Sequence, residues 1–296
     1  MKTPQFLNKG DKVGIIATAR KISKAEILPA AELLTKWGLE VVFGKHLFNE
    51  NNQFAGTDKE RAFDLQAMLD DDTVNAIIIA RGGYGTVRII DKIDFTNFIK
   101  KPKWIVGYSD VTVLHSHVHT LNIETIHATM PINFFKNEQA TESLYSALFG
   151  KKLMYNVSPS SLNRLGQTQA TLVGGNLSLI YSLMGSNSEI DTAGKILFIE
   201  DLDEYLYHVD RMMMTLKRAD KLTHLAGLII GGMTDMKDNV IPFGKTAEEL
   251  IFDTVKEYEY PVCFNFSAGH IDKNMALFLG RTISLEVKAN EVKLTF

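Results

Sequence analysis

Two short segments of this chain carry residue types suited to acyl transfer. Trp104-Ile-Val-Gly-Tyr-Ser-Asp-Val-Thr-Val-Leu passes from an apolar strand through Gly107-Tyr108-Ser109-Asp110 into a helical pattern, which sets Ser109 on the turn. A serine there presents its hydroxyl outward, and the Asp110 amide, free at a helix N-terminus, can receive the charge of an oxyanion. Taken locally, a plain helix N-cap at Ser109 or Asp110 is the stronger account, and Val111 stands where a G-x-S-x-G elbow has glycine. The second segment, Ala80-Arg81-Gly82-Gly83-Tyr84-Gly85, follows the apolar run Ala76–Ala80 and opens the next helix. Its bare amides can approach a ligand at the carboxyl edge of a parallel sheet. It has neither the G-x-G-x-x-G spacing nor a Walker lysine-serine pair, so a glycine loop beside a serine loop fits acyl transfer better than phosphate binding.

A serine hydroxyl needs a base, and an imidazole base needs a carboxylate to fix its tautomer. Glu200 ends the apolar run Lys195–Glu200, where a carboxylate is costly to bury without a partner, and alternation puts it on the side of Phe198. His270 lies in Phe266-Ser-Ala-Gly-His, just past the apolar run Pro261–Phe264. Each has a plainer reading. Glu200 opens the acidic run Glu200–Glu204, which also suits a solvated loop or a helix start, and His270 is one of eight histidines. Of His115, His117 and His119, only the first and last share a helical face and no carboxylate motif completes a site, so no metal is expected there. His127 is a candidate pocket wall and His208 a partner for an acidic neighbour. Met212 to Met214 suit core packing, and Cys263 suits a buried hydrophobe.

The elements that must position these residues alternate in type. Lys12–Ala17, Leu39–Phe43, Ala76–Ala80 and Trp104–Val106 are predicted strands, with helices over 24–37, stopped by Gly38, and from Thr57 or Asp58 to about Leu69. Strands spaced by helices imply right-handed βαβ units. The expected fold is therefore α/β: an N-terminal doubly wound, mostly parallel, flavodoxin-like sheet over 1–149, a linker over 150–169, and a C-terminal mixed α/β domain over 170–296. The second half holds strands at Lys195–Glu200 and Leu225–Gly231 and helices at Leu206–Arg218 and Thr246–Tyr258. With 45% hydrophobic residues, 296 residues can bury a large core. A net charge of −3, from 32 basic and 35 acidic residues without long runs, argues against nucleic-acid or anionic-membrane partners. No apolar stretch suits a signal peptide or a bilayer span, so a cytoplasmic protein acting on a small molecule or peptide is expected.

Lys12-Val-Gly-Ile-Ile-Ala, Arg81-Gly-Gly-Tyr-Gly, Gly107-Tyr-Ser-Asp, Gly174-Gly-Asn-Leu, Phe198-Ile-Glu-Asp and Ala268-Gly-His occur in this order along nearly the whole chain. Together they resemble the LD-carboxypeptidase family of serine peptidases, which includes the muramoyl-tetrapeptide carboxypeptidases. The resemblance implies a Ser109–Glu200–His270 triad, an oxyanion hole from the amides of Asp110 and Gly83, and no metal or organic cofactor. Arg81, Tyr84 and Asn176 are its candidate substrate contacts. It implies cleavage of the L,D-bond before the terminal D-alanine of a murein tetrapeptide, in cell-wall recycling, by a homodimer. Two alternatives stand beside it: a related hydrolase that detoxifies peptide-nucleotide antibiotics of microcin type, and a non-catalytic binding protein.

Overall fold

The computed structural model describes residues 1–296. In chain order the first elements are β1 (Lys12–Ile16), α1 (Lys24–Lys36), β2 (Glu40–Phe43), α2 (Asp58–Asp70), β3 (Val74–Ile79), α3 (Thr96–Lys100), β4 (Trp104–Gly107), α4 (Thr112–Thr120), β5 (Thr125–His127) and α5 (Glu138–Leu148). They continue as β6 (Met154–Val157), β7 (Gly166–Asn176), α6 (Leu177–Ser182), β8 (Ile196–Leu202), α7 (Leu206–Arg218), β9 (Gly227–Thr234), α8 (Ala247–Val255), β10 (Val262–Cys263), β11 (Leu277–Leu279), β12 (Thr282–Val287) and β13 (Val292–Thr295). α1 and α2 start where the sequence supplies capping boxes. The Ser23 hydroxyl accepts the Glu26 amide while the Glu26 carboxylate accepts the Ser23 amide, and Thr57 with Glu60 repeats this at α2.

The first sheet runs β11-β5-β4-β3-β1-β2, parallel throughout except for β11. Without β11 its order is the 2-1-3-4-5 of flavodoxin-like folds, in which ligands meet the carboxyl ends of the strands. β4 is wholly buried and β3 nearly so, because helices cover both faces. Ile27 and Leu34 of α1 and Leu144 of α5 pack on one side, while Leu65 of α2, Phe98 of α3 and Leu114 of α4 pack on the other. The second sheet runs β10-β9-β8-β7-β12-β13-β6, parallel from β10 to β7 and antiparallel beyond, hence mixed. No helix is long and apolar enough to cross a membrane.

Residues 150–169, expected to form a linker, contain strand residues at both ends. β6 pairs with β13 in register Met154↔Thr295, and β7 already pairs with β12 at Gly166↔Val287. β6 and the start of β7 bury their side chains only partly and in alternation, so their polar composition reflects one wetted face rather than a loop. A second difference ties the halves together. β11, far along the chain, adds to the first sheet with Leu277 opposite His127.

Candidate active site

Ser109 follows β4 and opens the single 3-10 turn Ser109–Val111 that leads into α4. Its φ of +65° is left-handed, a conformation that costs a non-glycine residue roughly 1–3 kcal/mol and persists only where the surroundings enforce it. The turn points the hydroxyl at the glycine loop after β3. A methyl built on Gly82 would stand 2.9 Å from both Cβ and Oγ of Ser109, so glycine is what admits the loop to the serine. Gly82→Ala is expected to lower kcat on the order of 10²-fold, the cost of a misplacement of about an ångström. A steady-state assay showing wild-type turnover in a folded variant would contradict this tight fit.

Glu200 and His270 reach Ser109 from the second sheet. Glu200, near the end of β8, is fully buried. Its Oε2 accepts the His270 ring Nδ1 at 2.7 Å and the His270 amide at 3.1 Å, which offset the cost of burying the carboxylate. The His270 Nε2 stands 3.0 Å from Ser109 Oγ. Burial works against charge on His270, but the Glu200 charge and hydrogen bond, with help from Asp201, outweigh it and leave the imidazole above its ordinary value. Gly269, at φ +108°, lies against Glu200, where a methyl would come within 2.6 Å of Oε2. Asp201 faces elsewhere and accepts the Ser178 amide and the Asn176 Nδ2, each at 2.8 Å, at the start of α6. Its own burial, followed by the Glu200 charge, pushes its carboxyl up to about 6.

A cavity of about 370 Å³ opens in front of Ser109, lined among others by Arg20, Arg81, Gly83, Met130, Lys136 and His270. A lobe of about 160 Å³ adjoins it across Tyr108, Asn133, Lys136 and His270, and Asp272 also lines this lobe. A larger groove of about 630 Å³ beside Trp37 and Tyr145 contains neither Ser109 nor His270. Gly83 lines the Ser109 cavity, and the Asp110 carboxylate holds the glycine loop in place by accepting the Thr86 amide at 2.8 Å. Arg81 also lines it, although its guanidinium donates to the Lys21 carbonyl at 3.1 Å and stands 4.0 Å from Glu26.

Two candidate substrate contacts are placed elsewhere. The exposed Tyr84 ring turns to Phe54, 6.3 Å away, and does not line the cavity. The buried Asn176 caps α6, accepting the Leu179 amide at 3.1 Å, so its amide is committed to helix and Asp201. Sequence reading missed Arg20, Lys136 and Tyr108. Tyr108 accepts Asn133 Nδ2 at 2.8 Å and sets its ring 5.0 Å from that of His270, and burial pushes its hydroxyl up to about 12. No spacing or motif singles these three out, because Arg20 and Lys136 are remote in sequence from the loops that carry Ser109 and His270. His127 is fully buried and lines neither the Ser109 cavity nor its adjoining lobe. His115 bonds the Gly107 carbonyl at 2.9 Å, His208 bonds Glu204 at 2.5 Å, and burial alone pushes the Cys263 thiol up to about 12.

Fold and site together define a class, a two-domain α/β peptidase of the serine type. The chain belongs to the LD-carboxypeptidase family: the family's N-terminal domain matches residues 13–128 and its C-terminal domain residues 169–285. A probable murein peptide carboxypeptidase of Bacillus subtilis is 38% identical over 94% of this chain and 89% of its own. Among solved structures, a muramoyltetrapeptide carboxypeptidase from Oxalobacter formigenes matches with a TM-score of 0.88 at 24% identity, covering 96% of this chain and 98% of that one. MccF in complex with glutamyl sulfamoyl guanosine matches with a TM-score of 0.86 at 20% identity, covering 99% and 98%. At these identities the two structures establish a shared fold.

Proposed function

We propose that this protein is a serine carboxypeptidase that removes the terminal D-alanine of murein tetrapeptides by cleaving the preceding L,D-bond. One observation carries the mechanism: a single imidazole bridges the Ser109 hydroxyl at 3.0 Å and the buried Glu200 carboxylate at 2.7 Å. His270 takes the Ser109 proton as Oγ attacks the carbonyl of the L-centre. The amides of Asp110 and Gly83 hold the oxyanion. As the C–N bond breaks, His270 gives that proton to the departing D-alanine amine. Water then attacks the acyl-enzyme, losing a proton to His270, and Ser109 leaves with it. These steps use protein groups and water alone.

Support for the substrate class comes from the family and from the cavity's charge. Arg20, Arg81 and Lys136 line the space before Ser109, and the only acidic side chain near Lys136 is Asp272, at 4.0 Å. Cations so placed suit a peptide that ends in a free carboxylate. Nothing in the cavity favours a nucleobase: its rings are those of Tyr108 and His270, while Trp104 is buried under Phe6 and Phe278. The family resemblance also brings a homodimer and a cytoplasmic setting into the proposal.

The test is to incubate the purified protein with a murein tetrapeptide and with its C-terminal amide, and to follow D-alanine or D-alaninamide release by chromatography. Turnover of the free acid, with a much higher KM for the amide, is expected. Turnover of a peptide-nucleotide substrate alone would move the assignment to the detoxifying reading.

A further inference from the structure

We infer that His127 and Asn274, buried together, form a positioning device that fixes the loop bearing His270 to the strand pair that presents Ser109. The inference rests on the triad reading above. His270 sits in the loop 267–275, closed at its base by the Met275 amide donating to the Ser267 carbonyl at 2.9 Å. Within the loop, Asn274 Oδ1 accepts the amide of Gly269, the residue before His270, at 2.8 Å. The same oxygen meets His127 Nε2 at 3.2 Å. A backbone amide can only donate, so the oxygen of Asn274 is the atom facing both groups, and His127 carries its proton on Nε2. Burial, followed by the His115 charge, holds His127 well below its ordinary value, so the ring stays neutral as that donor.

His127 is itself held on both sides. It lies opposite Gly107, two residues before Ser109, in the β4–β5 ladder, and opposite Leu277 in the β5–β11 ladder. Asn274 precedes β11 by only three residues. One imidazole–amide contact therefore links the strands that launch Ser109 to the loop that carries its base, two segments remote in sequence. The pair is no obvious device for stability. His127 Nδ1 and Asn274 Nδ2 are buried without partners, a penalty that an apolar pair of similar size avoids. What the pair secures is direction: the Gly269 amide goes to Asn274 and the next amide, that of His270, goes to Glu200, so the loop presents the imidazole in one orientation.

The test reads nucleophile–base alignment without a peptide. A fluorophosphonate labels an activated serine: the Ser109 Oγ–P bond forms, the P–F bond breaks, fluoride leaves and the serine proton passes to His270. Labelling rates are compared for wild type, His127→Leu, His127→Gln and Asn274→Ala, each shown to be folded by its melting transition, alongside kcat and KM on the tetrapeptide. The leucine and alanine variants are expected to label on the order of 10²-fold more slowly, with kcat falling in step and KM unchanged. His127→Gln, whose amide nitrogen reaches the position of Nε2, is expected to restore labelling to within a few-fold of wild type. If His127→Leu does not fold, Asn274→Ala and His127→Gln carry the comparison. Wild-type labelling in Asn274→Ala, or labelling in His127→Gln as slow as in Asn274→Ala, would overturn the inference. Labelling that survives in Ser109→Ala would overturn the triad reading and this inference together, whereas its loss there leaves the triad standing and makes the other variants decisive.

Discussion

Ser109→Ala is expected to reduce D-alanine release by on the order of 10⁶-fold, the loss typical when a serine peptidase is stripped of its nucleophile. The structure argues that this loss will be chemical rather than structural. Ser109 makes one side-chain hydrogen bond, to His270 Nε2, and His270 keeps both of its bonds to Glu200 without it. Alanine has the same Cβ as serine, so the left-handed φ of +65° is no worse tolerated, and melting temperature should stay near that of wild type. Ser109→Gly sharpens the point. Glycine adopts that φ freely, so this variant should be equally inactive yet more stable, by up to roughly 1–3 kcal/mol, the strain it relieves. The measurements are D-alanine release under single-turnover conditions and thermal unfolding of all three proteins. Turnover of Ser109→Ala within tenfold of wild type would remove Ser109 from the mechanism.

That strain also shows where the sequence was readable and where it was not. The apolar runs behind β1, β3 and β4 and the cap at Thr57 are local signals, and the elements follow them within a residue or two. The left-handed turn at Ser109 has no such signal: without a glycine after the serine, its segment reads as an ordinary helix start. Non-local pairing was equally silent. β6 and the start of β7 look like linker because their partners β13 and β12 lie more than a hundred residues downstream, and nothing in Leu277–Leu279 announces that it joins β5 rather than the second sheet. Tyr84 and Asn176 were misplaced for a related reason. Motif neighbourhood does not reveal side-chain direction: Tyr84 turns away from the cavity that Gly83 lines, and the Asn176 amide is taken up by the start of α6 and by Asp201. His127 shows the converse, because a short buried strand reads as a wall until the pairing on both of its sides is known.

Glu200→Gln is expected to lower kcat about 10⁴-fold, the cost seen when a triad carboxylate becomes an amide, and to change the pH profile in a direction the structure fixes. The base must be neutral to accept the Ser109 proton, so activity in the wild type is lost as pH falls through the His270 pKa. That value is raised: burial alone would depress it, but the Glu200 charge and hydrogen bond outweigh burial, with Asp201 adding to them. The acid limb of kcat/KM should therefore lie above the ordinary histidine value of about 6.5. Glutamine keeps the shape and removes the charge. With the largest raising contribution gone and burial unchanged, the limb of the residual activity should move to lower pH. Stability responds in the opposite sense, because a raised imidazole favours the folded state only while it is protonated. The Glu200–His270 contribution is full below about 6.5 and is lost as pH rises through the raised value. A gene-purified Glu200→Gln protein assayed from acid to neutral pH decides the matter. An acid limb in the same place as in wild type would mean that Glu200 does not set the charge state of His270, and the pairing of these two side chains would lose its role in the reaction.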